Sequence, residues 1–516
     1  MLQKLTASRE PWDVVIIGGG ATGLGCAVDA AARGYRTVLL EQHDFAKGTS
    51  SRSTKLIHGG VRYLQQGNVG LVIEALRERG LLTQNAPHLV HHMAFIVPNY
   101  TWWEAPFYGI GLKIYDILAG KLGLGPSRHL SRDETLERLP TLEPEGLRGG
   151  VIYYDGQFDD ARLAITLAQT AADLGAVVLN YMEAIGFTKA NDLVKGVVAH
   201  DRETGAKHEI TGQAIINATG VFTDQLRKLD DADAECIISP SQGVHIVLDR
   251  SFMPGDSAIM VPRTEDGRVL FAIPWHERVL IGTTDTPVEA AALEPKPLDE
   301  ELDFLLAHAA RYLTRDPKPS DVLSTFAGLR PLRKTGNGKD TASVPRDHSV
   351  LVSKSGLVTI TGGKWTTYRK MAEDTINQAA LVGELDERAP ATAELKLHGW
   401  TGAPDAQSHL GVYGERVSQL QALIAENRRW GERLHRSLPY VRGEVIWAVR
   451  HEMARTVEDV LSRRLRALLL DARAAMEAAP IVAGLMAQEL GRDGRWQQLQ
   501  VAEFNKLATG YLPAAS

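Results

Sequence analysis

The chain has 516 residues, with 57 Lys+Arg against 63 Asp+Glu and a formal net charge of −6, so no global basic field exists to hold nucleic acid. Its 44% hydrophobic and 23% charged residues suit a large packed core and exclude wholesale disorder. Two cysteines, Cys26 and Cys236, cannot build a disulfide framework, a dithiol relay or a Cys-rich metal site, and no metal is expected. The opening MLQKLTASREPWD lacks the apolar stretch of a secretory signal, and no uncharged apolar run reaches the roughly 20 residues of a transmembrane helix. A cytoplasmic enzyme of several domains is the expectation.

The first element is the run DVVII at 13–17, continuous and β-branched, as suits a parallel strand buried on both faces. Gly18, Gly20 and Gly23 follow in G-x-G-x-x-G spacing, and Ala21, Leu24, Ala27, Val28 and Ala31 then recur with a helical period. Gly34 ends that helix, and a second apolar strand at 37–40 leads to Glu41. The physics of this unit is specific for a dinucleotide. Gly18 allows a tight turn, Gly20 lets backbone approach a pyrophosphate, and Gly23 permits close helix–strand packing. The helix N-terminus supplies free N–H groups and partial positive charge, and Glu41 can accept from ribose hydroxyls while repelling a 2′-phosphate. This unit does not by itself separate NAD from FAD.

Further along, helical spacing is seen at 71–84 and again at 159–174, where Asp159 or Asp160 would cap the helix. Alternating patterns at 176–199 and 206–217 predict strands leading to NATG at 217–220, a turn that brings backbone toward the cofactor. Residues 243–285 alternate in short runs, which predicts an antiparallel sheet. A composition shift at 386–406 reads as a linker, and the helical periodicity of 412–511 predicts an all-helical domain. The basic cluster Arg463, Arg464 and Arg466 reads as helix surface or internal salt bridges, not as a nucleic-acid site.

Residues 48–64, GTSSRSTKLIHGGVRYL, resemble the signature of FAD-dependent, quinone-linked glycerol-3-phosphate dehydrogenases. Similar blocks follow: FDDARL at 158–163, NATG at 217–220, GVHIVL at 243–248, IPWHERVLIGTTDT at 273–286 and GLRPL at 328–332. TGGKWTTYRKMAE at 361–373 and AVRHEMARTVEDVLSRRLR at 448–466 complete the set, the family usually having Thr in place of Leu465. The resemblance implies an α/β + α fold: a Rossmann-type FAD-binding domain interleaved with an antiparallel-sheet substrate domain, then an all-helical C-terminal domain. The expected boundaries are 1–75, 150–235 and 322–385 for the FAD-binding domain, and 76–149 and 236–321 for the substrate domain. A linker at 386–406 and a helical domain at 407–516 follow.

It also implies a site. A flavin accepts hydride at N5, so the protein must place the donor carbon and take the hydroxyl proton. A phosphorylated substrate needs cations, and Arg matches phosphate oxygens bidentately. Arg330 in GLRPL is the first candidate for the clamp, with Arg62 and Tyr63 in GGVRY and Arg346 in SVPRDHS beside it. His245 is the preferred base because it falls on a substrate-domain strand, and it also counts as a substrate contact. His58, in the loop after the second strand, is read as a flavin contact. In the turn at Gly363, Lys364 and Thr366 open a helix whose N-terminus would face the flavin ring, and Lys364 would meet either flavin or phosphate. Thr49, Ser50, Ser51 and Lys55 are read as FAD contacts, as are Ala218, Thr219 and Gly220.

For the electron acceptor, the resemblance implies membrane quinone. Segment 102–124 fits surface attachment through Trp102, Trp103, Phe107, Tyr108, Leu112, Ile114, Tyr115, Ile117 and Leu118, with Lys113 and Lys121. A lid or a homodimer contact would explain the same residues. The expected location is cytoplasmic and peripheral on the membrane. Alternatives are a glycerophosphate oxidase using oxygen, an amine or amino-acid oxidase relative, and a flavin-binding adaptor without catalysis.

Overall fold

In a computed structural model, the described residues are 1–8, 10–60, 64, 67–101, 104–262, 264, 268–334, 347–405 and 408–513, the side chains of residues 105, 106 and 121 excepted. Two sheets carry the fold. Among the described residues, the first has eight strands, and its main path runs His348–Val352, Val358–Gly362, Lys207–Asn217, Trp12–Ile17, Thr37–Leu40 and Val177–Leu179. Trp12–Ile17 pairs in parallel with both neighbours. Val14 and Ile16 pack into one core and Val15 and Ile17 into another, which is why the run needs no polar alternation.

The second sheet has ten strands among the described residues, with Ile238–Asp249 bonded to Arg278–Gly282 on one side and Ser324–Arg333 on the other, all antiparallel. Three strands change sheets relative to the expected boundaries, the short Leu56–Ile57 among them. Gly149–Phe158 and Ser324–Arg333 pair within this second sheet, so the chain returns to the first sheet only after them. A strand's partner is set by residues far away in sequence, and its own pattern does not name the sheet it joins.

The expected helices form at Val69–Asn85 and Asp160–Asp173, the latter capped by Asp159, whose side chain accepts from Arg162 N. Residues 386–406 hold no helix or strand among those described, yet Leu397 is buried and the Arg388 guanidinium donates to Gly34 O at 2.6 Å. That segment is a strap on the first body. Helices Arg442–His451, Ala472–Leu490 and Gly494–Thr509 build the C-terminal unit around an Ala- and Leu-rich core. Leu465 is buried in that core.

The basic cluster is resolved as internal ion pairs. Arg463 and Arg464 both reach the buried Asp44 carboxylate, and Arg466 reaches Asp160 at 2.9 Å. Burial alone would raise the Asp44 carboxyl, but the two guanidinium groups outweigh it and hold it well below the usual range.

Candidate active site

One cavity of about 480 Å³ runs between the two sheets. At one end stand Gly18, Gly20 and Glu41, in the middle Thr49, Ser50 and the turn Ala218–Gly220, and at the other His58, His245, Arg330, Gly363, Lys364 and Thr366. The structure therefore brings most of the expected site residues to a single cavity.

The glycine end is built by close approach. Gly18 has φ +113°, and a Cβ there would lie 2.6 Å from Ala218 O. At Gly23 a Cβ would overlap Gly18 O, so the helix Ala21–Ala32 can come this close to the strand only without one. Ser50 Oγ caps that helix by accepting from Ala21 N at 2.9 Å. Glu41 accepts from Gly19 N at 2.6 Å and His43 N at 2.8 Å, which leaves carboxylate lone pairs for ribose hydroxyls. Burial pushes the Glu41 carboxyl up, and the two N–H bonds pull against it. The glycine cradle, the helix N-terminus and the buried acid at the strand end together fit a dinucleotide pyrophosphate and ribose, as FAD requires.

The opposite end is built on the strand Ile238–Asp249. His245 stands opposite Gly282 on one neighbour and Phe326 on the other. A side chain at 282 would collide with the imidazole, and Phe326 stacks on it with ring centroids 4.9 Å apart. Thr54 Oγ1 meets His245 Nε2 at 3.0 Å. Burial, then the charges of Lys55 and Arg330, push the imidazole well below the usual histidine range. The ring is therefore neutral at physiological pH and able to receive a proton. Arg330 is held by Asp285 at 2.9 Å, Thr283 Oγ1 at 3.2 Å and Thr284 O at 3.0 Å. Ser241 Oγ donates to the same Asp285 carboxylate, so the guanidinium lies in a fixed frame.

After Gly362 (φ +78°) and Gly363 (φ +71°), the turn Trp365–Thr367 leads into the helix Tyr368–Val382. Trp365 Nε1 donates to Ser50 O at 2.9 Å, and Thr366 Oγ1 bonds both His58 N and His58 O at 3.3 Å. The two glycine-rich loops are thus locked to each other.

Not every expected residue reaches the cavity. Ser51 and Lys55 stand behind its wall: Lys55 Nζ is fully buried and donates to Ser51 O at 2.8 Å and Asp160 at 2.6 Å. The reason is local, since Lys55 takes φ +62° and turns its side chain away from its neighbours. Gly23 acts through packing only. Arg62, Tyr63, Arg346, Trp102 and Trp103 lie outside the described residues. Sequence reading missed Thr54 and Asp285, although both fall within the quoted blocks and are short polar residues beside glycines and candidate cations.

The same fold is found in known proteins. A family model described as FAD dependent oxidoreductase matches residues 13–369, and one described as the C-terminal domain of alpha-glycerophosphate oxidase matches 357–497. The mitochondrial glycerol-3-phosphate dehydrogenase of Homo sapiens is 41% identical over 540 residues, covering 98% of this chain and 74% of that protein. The chain belongs to the FAD-dependent glycerol-3-phosphate dehydrogenase family. A glycerol-3-phosphate dehydrogenase from Bacillus halodurans, solved with FAD, superposes with a TM-score of 0.81 at 31% identity, covering 99% of this chain and 97% of that one. The L-alpha-glycerophosphate oxidase of Mycoplasma pneumoniae shares the fold at 18% identity, with a TM-score of 0.57 over 75% of this chain and 98% of that one. The resemblance read from the sequence is borne out, as is the α/β fold with a helical C-terminal domain.

Among the described residues, two smaller spaces continue from the main cavity of this dehydrogenase. One of about 180 Å³ shares Thr54, Leu56, His58 and Arg330 with the main cavity. It also shares Met260 and Val269 with an apolar groove of about 340 Å³ under the helix Glu104–Ala119. That helix is two-faced. Leu112 and Tyr115, both expected at the surface, point inward, whereas Ile110 and Ile117 are 65% and 77% exposed. Among the described residues no helix is long and apolar enough to cross a membrane.

Proposed function

We propose that the protein oxidises sn-glycerol 3-phosphate to dihydroxyacetone phosphate and that the electrons leave for a membrane quinone. Bound FAD supplies the hydride acceptor, N5, for the hydrogen on C2. The observation that carries this reading is the placement of His245 and Arg330 on neighbouring strands, facing the cavity that the glycine loop and Glu41 also line.

Arg330 binds the phosphate, its fork held by Asp285 and the Thr283–Thr284 turn. His245 takes the proton of the C2 hydroxyl. In the resting site the positive neighbours depress its basicity. A phosphate dianion beside Arg330 cancels part of that field, so the base strengthens when substrate is seated. Lys364 and the helix start after Gly363 bring positive charge to the same end, where it meets whichever negative charge arises, on the reduced cofactor or on the phosphate. The chain of cavities from Thr54 to Val269 supports an apolar acceptor entering beneath the 104–119 helix. The exposed Ile110 and Ile117 support seating of that helix on a bilayer, from the cytoplasmic side.

The test is an anaerobic visible absorption spectrum of the purified protein before and after sn-glycerol 3-phosphate. Bleaching of a yellow flavin, with recovery on adding a quinone analogue, is the expected result. Recovery with oxygen at a comparable rate would make it an oxidase, and a flavin that does not bleach would overturn the substrate.

A further inference from the structure

The C-terminal unit touches the wall of the active site from behind. Its fully buried Arg466 sits in the left-handed region at φ +62°, and one guanidinium nitrogen donates to both Ser51 O and Asp160 Oδ1 at 2.9 Å. Asp160 is a hub. Its other carboxylate oxygen accepts from Ser53 N at 3.0 Å, Ser53 Oγ at 2.7 Å and Lys55 Nζ at 2.6 Å. Thr54, between those two residues, is the one that meets His245 Nε2. Lys55 Nζ lies 5.0 Å from the centre of the Phe326 ring on which His245 stacks.

The same unit also grips the strand on the far side of His245. Ser324 Oγ donates to Leu468 O at 3.0 Å, Thr325 N to Tyr511 O at 2.7 Å, and Ala472 N to Leu323 O at 3.1 Å. Those contacts fix the start of the strand that carries Phe326 and Arg330.

We propose that Arg466 is a positioning residue of the active site: it holds the 51–55 turn, and through Thr54 the His245 ring, in working orientation. The helical C-terminal unit is then part of the catalytic apparatus and not only an appended domain. The inference rests on His245 being the base. A buried guanidinium serves this better than an ammonium, because one arm of its planar fork reaches Ser51 O and Asp160 while the other holds Ser462 O at 2.9 Å.

The experiment uses the full-length, FAD-loaded protein and anaerobic stopped-flow bleaching by sn-glycerol 3-phosphate. Arg466→Gln is expected to slow bleaching about ten- to a hundredfold at saturating substrate, the scale of a small misplacement of a reacting group. Thr54→Val should do the same, and the double variant should be no slower than the slower single, since both act on one link. Glu452→Gln is the control. It weakens the buried Arg162–Glu452 pair between the same unit and the helix Asp160–Asp173, and makes no contact with the 51–55 turn. It should lower Tm and leave bleaching unchanged.

Additive losses in the double variant, or equal slowing by Glu452→Gln, would overturn the proposal in favour of a purely structural role. If Arg466→Gln yields no soluble flavoprotein, Arg466→Lys, which keeps the charge but loses the fork, is read in the same cycle. His245→Asn separates the two readings: if it leaves the bleaching rate and its pH dependence unchanged, the base assignment fails first.

Discussion

The cavity between the sheets and the groove under the 104–119 helix are opposites in the way they are walled. In the first, polar side chains have fixed partners: Arg330 with Asp285, Glu41 with two backbone N–H groups, His245 with Thr54. The second is lined by Leu64, Val97, Ile110, Ile114, Met260 and their apolar neighbours, which offer shape but no directed bonds. A framed set of charges can discriminate a small phosphorylated alcohol, because an alcohol without the phosphate forgoes the charge-assisted contact that the part-buried Arg330 offers. An apolar groove discriminates by size and hydrophobicity alone. The difference suits two half-reactions carried out at two ends of one protein, reduction of the cofactor in the polar cavity and its reoxidation through the groove. It follows that substitutions in each region should affect one half and spare the other.

The largest effect is expected at His245. Exchange for Asn keeps a polar group of similar size but removes the proposed proton acceptor, so bleaching by sn-glycerol 3-phosphate should slow by about 10²- to 10⁴-fold. Reoxidation by a quinone analogue, measured from the chemically reduced variant, should be unchanged. Slowing of both halves alike would break the division.

Next comes Arg330→Ala. Losing a charge-assisted phosphate contact costs about 1.5–3 kcal/mol, so kcat/KM for sn-glycerol 3-phosphate should fall about 10- to 100-fold. Glycerol, which has no phosphate, should be oxidised as poorly by the variant as by the parent. Arg330→Lys should recover only part of the loss, since the frame of Asp285, Thr283 and Thr284 is cut for a fork. A variant that loses glycerol and the phosphate ester equally would remove Arg330 from the clamp.

In the groove, Ile114 is the residue to charge. It is part exposed and lines the apolar wall. Ile114→Asp should raise KM for a quinone analogue about tenfold, through the cost of desolvating the carboxylate, while bleaching keeps its rate. Ile110→Ser with Ile117→Ser should reduce co-flotation with liposomes and leave the soluble-analogue assay intact. If neither pair of readouts separates, the groove is not the acceptor's route.

How much of this was legible from the sequence depended on the range of the interaction. The strand at 12–17, the helix after it and the strand ending at Glu41 form a local unit whose pattern is complete within thirty-odd residues, and its strands and helix form where that pattern puts them. His245 was placed on a strand because the alternation around it is clear. Its stacking on Phe326 and its bond to Thr54 come from pairings across some 80 and 190 positions, which one sequence does not state. Lys55 shows the opposite failure. A cation in a glycine- and hydroxyl-rich loop looks like a phosphate contact, but one left-handed residue turns it inward to Asp160. Arg330 and Asp285 stand 45 positions apart, so the frame around the guanidinium is visible only once the sheet is built. The arginines at 463, 464 and 466 were read as surface or internal pairs, and only the buried carboxylates of Asp44 and Asp160 decide between those.

The smallest effect, and the sharpest test of the polar wall, is a shift along the pH axis. His245 is faced by Lys55 on one side and by Arg330 on the other, the latter shared with Asp285. Burial and the two cations favour the neutral ring, so the acid limb of kcat/KM should lie below the ordinary histidine value of about 6.5. Lys55→Met removes one cation, makes the imidazolium easier to form, and should move that limb upward toward neutrality without changing the plateau greatly. Lys55 itself is pushed down to about 8, chiefly by burial. Its folded value is thus below that of the unfolded chain, which binds this proton more tightly. Stability linked to it is fully present above the unfolded value of 10.5 and is lost as pH falls through about 8. The parent should therefore gain Tm relative to Lys55→Met between pH 8 and 10. A Lys55→Met protein with an unmoved acid limb but the expected Tm trend would mean that the lysine braces the turn and does not tune the base, leaving burial and Arg330 as the sources of the neutral ring.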